Sequence, residues 1–390
     1  MTILLIEVVL RLFFSMYVTP IYMLDEDCQF RPKPGTSHYW QQIPPNWRDN
    51  VEIRVNSQGF RGPEREFAAD ELRVLVYGDS FVMAEFSDFE ATYCVQLEQQ
   101  LATALGRKVH VVNAGSAGGG PDQYLPRMKR EMPLVDPDLV VVAIYAGNDF
   151  GDLTRDKMYR VADDGSVVPN AFTLSDKVRR EFAVANRPAI YRMVHRLRMD
   201  RRLEFGWELM DLPDPEQQRI KAYDMVERDL ELCKAEYKEY VTKRRDDVRV
   251  LLDDHYDSDL AMEPSSESSV YKVKLMEGVL PRLVQQVRSA NVPVLTLAIP
   301  APTDTVDVYR GGAVDPKKYP NYRRSRLTDE VARIAALAEA PCVDLFGPFR
   351  ERQGEVFLKA PDIHWNDAGQ KLAATLTRER IVTDQLFRAR

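Results

Sequence analysis

Four short stretches of this 390-residue chain carry the residue types that acyl transfer through serine requires. They are Gly78-Asp79-Ser80, the run NAGSAGGG at 113–120, AGND at 146–149 and PDIHWNDAG at 361–369. Such chemistry needs a hydroxyl, a base to take its proton, an acid to orient the base, and donors aimed at the developing oxyanion. Ser80 supplies the hydroxyl, His364 the base and Asp362 the orienting acid. The donors are the Ser80 backbone N–H, a glycine N–H from 115–120 (Gly118 best placed) and the Asn148 side-chain amide. Glycine suits this because no Cβ keeps substrate away from the backbone. Taken singly, each stretch is a turn or a helix cap, and Asp79 fits a bracing role better than a chemical one. Together they point to a nucleophile.

Positioning these residues calls for strands that end beside them. Apolar, β-branched runs occur at Leu72–Tyr77, Val109–Asn113, Leu139–Tyr145, Pro293–Ala298 and Pro341–Phe346, as expected of strands covered on both faces. Between the first two, Phe89, Tyr93, Leu97, Leu101 and Leu105 recur every fourth residue, which predicts an amphipathic helix capped by Ser87 or Asp88. The alternation predicts an α/β fold with a parallel sheet between helices. The polar clusters then gather at the C-terminal edge of the sheet, where open α/β sheets bind ligands. Residues 151–285 break the rhythm with charged helical segments and the polar hinge EPSSESS at 263–269, and read as a helical insertion. The domain plan is an apolar N-terminal helix over 1–24, an extension over 25–70 with a short β piece VEIRVNSQGFRG, and the main domain over 71–390.

In this order GDSF (78–81), NAGSAG (113–118), GND (147–149) and DIH (362–364) resemble the four blocks of the SGNH or GDSL hydrolases. The resemblance implies Ser80 as nucleophile, Gly118 and Asn148 in the oxyanion hole, Asp362 and His364 completing the triad, and a flavodoxin-like α/β/α sandwich. It covers about residues 70–150 and 290–385. Phe81 replaces the usual leucine, a change read as minor, and Asp362 stands two residues before the histidine rather than the common three. DIHW also looks like the Asp-x-His-Trp of alginate-type O-acetyltransferases, although there it precedes the serine. VNSQGFRG is similar to a segment of many membrane-tethered bacterial SGNH proteins. The expected activity is ester hydrolysis on small acyl groups of a carbohydrate or similar polar molecule. The alternatives are O-acyl transfer from the same acyl-enzyme and a non-catalytic binding or assembly role.

Other classes are excluded or left with little support. A net charge of −7 gives no basic footprint for nucleic acid. Cys28, Cys94, Cys233 and Cys342 are scattered without metal-ligand spacing and read as small buried hydrophobes, so neither zinc nor any cofactor is expected. G-x-S-x-G is absent, and the glycines of 115–120 miss the G-x-G-x-x-G spacing. LLDDHYDSDL (251–260) reads as a solvated acidic loop rather than a metal site, His110 as structural, and Arg61 as paired with an acid rather than clamping an anion. His38 and His195 have no partner pattern. The apolar run 3–24 carries Glu7 and Arg11 at helical i, i+4 spacing. A membrane anchor is favoured there over an interfacial helix or a helix packed on its own domain, placing the chain on the extracytoplasmic side rather than in the cytoplasm.

Overall fold

Five runs rich in valine, leucine and isoleucine become one parallel sheet: β1 (Leu72–Gly78), β2 (Val109–Gly115), β3 (Leu139–Tyr145), β4 (Val294–Ile299) and β5 (Cys342–Asp344). Their spatial order is β2-β1-β3-β4-β5, the flavodoxin-like order. Every residue of β2, β3 and β4 is buried, which is why these strands read as unbroken apolar runs. Helices α1 (Tyr93–Leu105) and α5 (Asp367–Thr383) pack on each other on one side, while α3 (Glu267–Ser289) packs on α2 (Pro121–Val135) and α4 (Arg326–Leu337) on the other. The computed structural model describes residues 2–13, 21–40, 51–183, 187–194, 215–243, 247–248, 255–307, 314–358 and 363–388.

Three local expectations shift. The segment 88–105 is a 3₁₀ turn (Phe89–Ala91) followed by α1, so the cap is Thr92 and not Ser87 or Asp88. The break has a long-range cause: the Gln370 side chain on α5 accepts the Tyr93 N–H at 2.7 Å. EPSSESS is a cap rather than a bare hinge, because Ser266 accepts from the Ser269 N–H and starts α3. The end of LLDDHYDSDL is not solvated. Asp257 and Asp259 are fully buried and share the Lys272 ammonium at 2.7 and 2.8 Å. Cys233 joins them in a group with the spacing of a metal site, but the ammonium already holds the cationic position. Asp253 and Asp254 lie outside the described residues, as does His195.

Ahead of β1, the strands Tyr22–Asp25 and Gln29–Pro32 form one antiparallel hairpin, and Thr36–Trp40 pairs with Val51–Val55. Glu7 and Arg11 pair at 2.6 Å on the helix Thr2–Phe13, as their spacing predicts. No helix among the described residues is long and apolar enough to cross a membrane. None of the four cysteines forms a disulfide. His110 is structural: Nε2 lies 2.9 Å from Glu71 and Nδ1 2.7 Å from Arg65.

Asp122, in the first turn of α2, is fully buried near Asp152 and Asp156 of the helix Asp149–Asp156. Burial pushes its carboxyl up to about 7, helped by the Asp152 charge and opposed by a hydrogen bond with Asp156. In the unfolded chain the same group ionises near pH 4. The folded state therefore binds the proton more tightly, and this group's contribution to stability falls as pH rises from about 4 through 7. Asp122→Asn removes that loss. The variant is expected to exceed the parent by about 2–4 kcal/mol at pH 8, with the gain vanishing towards pH 4, in chemical denaturation at both pH values.

Candidate active site

The end of β1 turns sharply. Asp79 accepts the Phe81 N–H at 3.0 Å and caps the short helix Ser80–Met83, which Ala84 ends in the left-handed conformation (φ 54°). This confirms Asp79 as a brace. The helix can cross the end of β2 because residue 115 is glycine: a Cβ there would lie 2.3 Å from the Met83 nitrogen. Asn113 fixes the crossing from below, donating to Val82 O at 2.7 Å and accepting the Gly115 N–H at 2.9 Å. Among the described residues Arg61 makes no ion pair, unlike the pairing with an acid that the sequence suggested. Its buried guanidinium donates to the carbonyls of Met83, Ala84 and Ser87, closing the end of the same helix.

His364 arrives from the far end of the chain, just ahead of α5. Its carbonyl accepts the Leu358 N–H at 2.8 Å, and Asn366 both caps α5 and donates to the carbonyls of Glu355 and Phe357. The imidazole sits between two rings, with Phe86 at 4.7 Å and Phe81 at 5.0 Å. Its Nε2 lies 2.7 Å from Ser80 Oγ. Phe81 is therefore not a minor replacement. It also touches Tyr145 at 4.3 Å and Trp365 at 5.2 Å, so one aromatic stack ties the base to β3 and to the start of α5. Asp362 lies outside the described residues.

Two loops follow the strands that flank β1. After β2, Gly118 takes φ 72°, a left-handed conformation that favours glycine, and its N–H makes no hydrogen bond among the described residues. After β3, Asn148 is buried where the helix Asp149–Asp156 begins. Asp149 accepts the Tyr145 N–H at 2.8 Å and holds the turn. Asp257 reaches the same turn from elsewhere in the chain, donating its N–H to Gly147 O at 2.7 Å and accepting the Gly151 N–H at 2.9 Å. Arg155 donates to Asn148 O at 3.2 Å. The structure thus brings Ser80 and His364 into contact at the strand ends that also carry Gly118 and Asn148. No local signal announces Asp257 or Lys272, because their partners lie on other elements; Arg155 pairs locally with Asp152 at 2.6 Å, an i, i+3 spacing that could have been read.

A β2-β1-β3-β4-β5 sheet with a serine–histidine pair at its C-terminal edge defines an SGNH-like α/β hydrolase. The GDSL-like lipase/acylhydrolase family matches residues 76–372, and the chain belongs to that family. It is accordingly a carboxylic ester hydrolase. Similar solved structures include the acetyl xylan esterase AlAXEase, at 12% identity over 80% of this chain and 100% of that one with a TM-score of 0.39. A lipase/acylhydrolase from Enterococcus faecalis is 14% identical over 82% and 99% of the two chains with a TM-score of 0.37. Axe2, an acetylxylan esterase from Geobacillus stearothermophilus, is 12% identical over 80% and 94% with a TM-score of 0.38. No curated protein matches the sequence.

Phe81→Ala leaves one face of the imidazole without a wall. It is expected to cost about 3–5 kcal/mol of stability, the usual range for a buried phenylalanine. It should also lower kcat on p-nitrophenyl acetate at least tenfold at a temperature where the variant is folded, roughly what a 1 Å misplacement costs or less. Phe81→Leu, the side chain common in the family, should recover most of the stability.

Proposed function

We propose that this chain is a serine esterase that removes small acyl groups from a carbohydrate or a similarly polar molecule. The observation that carries the reading is the 2.7 Å contact between Ser80 Oγ and His364 Nε2. At that distance the hydroxyl donates to the imidazole and is poised to lose its proton as Oγ attacks. In this mechanism Ser80 bonds to the acyl carbon and His364 takes the proton. The charge that forms on the carbonyl oxygen is met by the N–H groups of Ser80 and Gly118 and by the Asn148 amide. The alcohol leaves with the proton from His364. Water then repeats the sequence on the acyl-enzyme, releasing the acid and free Ser80. Asp362 is assigned to orient His364, as in the family pattern.

A polar substrate fits the surroundings. Two residues past Phe86, which lies against His364, Asp88 lines a cleft of about 400 Å³ together with Glu52, Arg54, Gly62, Pro63, Phe89 and Glu90; none of Ser80, Gly118, Asn148 and His364 lines it, and it is assigned to the part of the substrate beyond the ester. One ring among charged side chains suits a sugar better than a long acyl tail. Acyl transfer to a sugar hydroxyl would use the same acyl-enzyme. The likeness to O-acetyltransferases rests on Asp362, His364 and Trp365 together, and Trp365 is buried against Phe81 and Phe349. Hydrolysis is placed first because the family to which the chain belongs is one of acylhydrolases.

A fluorophosphonate probe is expected to label the parent and to miss Ser80→Ala, while His364→Ala loses about 10³-fold or more in kcat. Equal labelling of parent and Ser80→Ala would rule out the serine mechanism. On acetylated oligosaccharides, Arg54→Ala with Asp88→Asn should lower kcat/KM roughly tenfold while p-nitrophenyl acetate is hydrolysed as before. Acetyl transfer to added oligosaccharide that outpaces hydrolysis would instead favour the transferase reading.

A further inference from the structure

The N-terminal hairpin lies ahead of the region matched by the family, yet one of its side chains enters the active site. Tyr22 Oη donates to Glu85 Oε1 at 2.6 Å and accepts the Ala117 N–H at 3.0 Å. A phenol carries one proton and spare lone pairs, so both contacts form at once. Glu85 follows Ala84, which ends the nucleophile helix, and Ala117 precedes Gly118. A single oxygen therefore joins the loop after Ser80 to the loop that presents the oxyanion glycine.

The tie is firmly seated. Tyr22 packs on a buried apolar cluster of Ile21, Ile53, Val55 and Met83, the last being the end of the nucleophile helix itself. Further along the hairpin, buried Gln29 donates to Asp156 O at 2.5 Å and accepts from Gln123 Nε2 at 3.1 Å, gripping the chain on the other side of the glycine loop. The Ala117 N–H is taken up by Tyr22, and the next N–H, that of Gly118, makes no hydrogen bond among the described residues.

Glu85 is itself buried, and burial pushes its carboxyl up while the hydrogen bond from Tyr22 pulls it back down. A buried acceptor with the Tyr22 hydroxyl at 2.6 Å fixes where that oxygen stands when it takes the Ala117 N–H.

We propose that Tyr22 and Glu85 are positioning residues of the esterase site, Glu85 holding the Tyr22 hydroxyl and that hydroxyl fixing Ala117 so that the Gly118 N–H meets the oxyanion. This rests on the serine–histidine mechanism above. When Ser80 attacks, its proton moves to His364 Nε2 and negative charge grows on the substrate carbonyl oxygen. Tyr22 acts on that charge through Ala117, and Glu85 acts through Tyr22.

The test uses the full chain with Tyr22→Phe and Glu85→Gln, two changes that keep side-chain shape. On p-nitrophenyl acetate, Tyr22→Phe is expected to lower kcat about tenfold with KM within about twofold, since the loss falls on a transition-state donor. Glu85→Gln keeps a neutral acceptor for the Tyr22 hydroxyl and should lower kcat by less than Tyr22→Phe, again with KM within about twofold. A purely structural role would lower the folded fraction and leave kcat per folded enzyme unchanged. A Tyr22→Phe kcat within twofold of the parent per folded enzyme, or a Glu85→Gln loss larger than that of Tyr22→Phe, overturns the proposal. Failure of the underlying mechanism shows separately, as fluorophosphonate labelling that survives Ser80→Ala.

Discussion

The hydrogen bond between Ser80 and His364 spans 284 residues of sequence, and much of the fold serves to hold its two ends. A 2.7 Å contact between a hydroxyl and an imidazole tolerates little drift, since a loss of about an ångström ends proton transfer. Neither residue lies inside a regular strand, where ladder bonds would fix it. Ser80 depends on the Asp79 cap and on the carbonyls held by Arg61. His364 depends on the Asn366 cap and on its place between Phe81 and Phe86. Packing α1 against α5 then sets the distance between the two, with Gln370 of α5 bonded directly to the first turn of α1.

Much of this bracing uses buried charge. Lys272 with Asp257 and Asp259, Arg155 with Asp152, and Arg61 in its ring of carbonyls all lie within the protein. Moving such groups out of water costs several kcal/mol each, and their mutual attraction roughly offsets that cost. Their contribution is therefore better sought in geometry than in net stability. A charged hydrogen bond is directional, so Asp257 fixes the Gly147–Gly151 turn in a way that an apolar contact of equal size would not. The price is intolerance: removing one partner strands the other without compensation.

How much of this was legible in the chain depends on the range of the interaction. The parallel sheet follows from β-branched runs, a local signal, whereas its flavodoxin-like order came only with the resemblance that the residues at the strand ends carry. The caps at Asp79 and Asn366 are local signals too. The acidic run around Asp257 misleads for the opposite reason: its counter-ion, Lys272, is on a different helix, and composition alone cannot show the pairing. Phe81 looked like a neutral replacement because its role lies in three ring contacts to residues far along the chain. Thr92 displaced the expected caps because Gln370 satisfies an N–H that local rules assign to a neighbour.

Two segments outside the regular β-α alternation converge on the site from opposite sides, and this changes what the family core means here. The N-terminal hairpin covers Met83 and reaches Ala117, while the excursion between β3 and β4 carries Asp257 to the turn that holds Asn148. Without the hairpin, Met83 would keep Ile53 and Val55 but lose Ile21 and Tyr22 from its apolar cover, and the nucleophile helix has only one turn of its own backbone to hold it. Without Asp257, the Gly151 N–H would be buried and unmet. The sheet thus fixes where the four strand ends point, but the two loops that would face an oxyanion are each held by chain that the sheet does not contain. Variation in such segments can retune donor placement while leaving Ser80 and His364 untouched, which is one physical route by which a shared core comes to serve different esters.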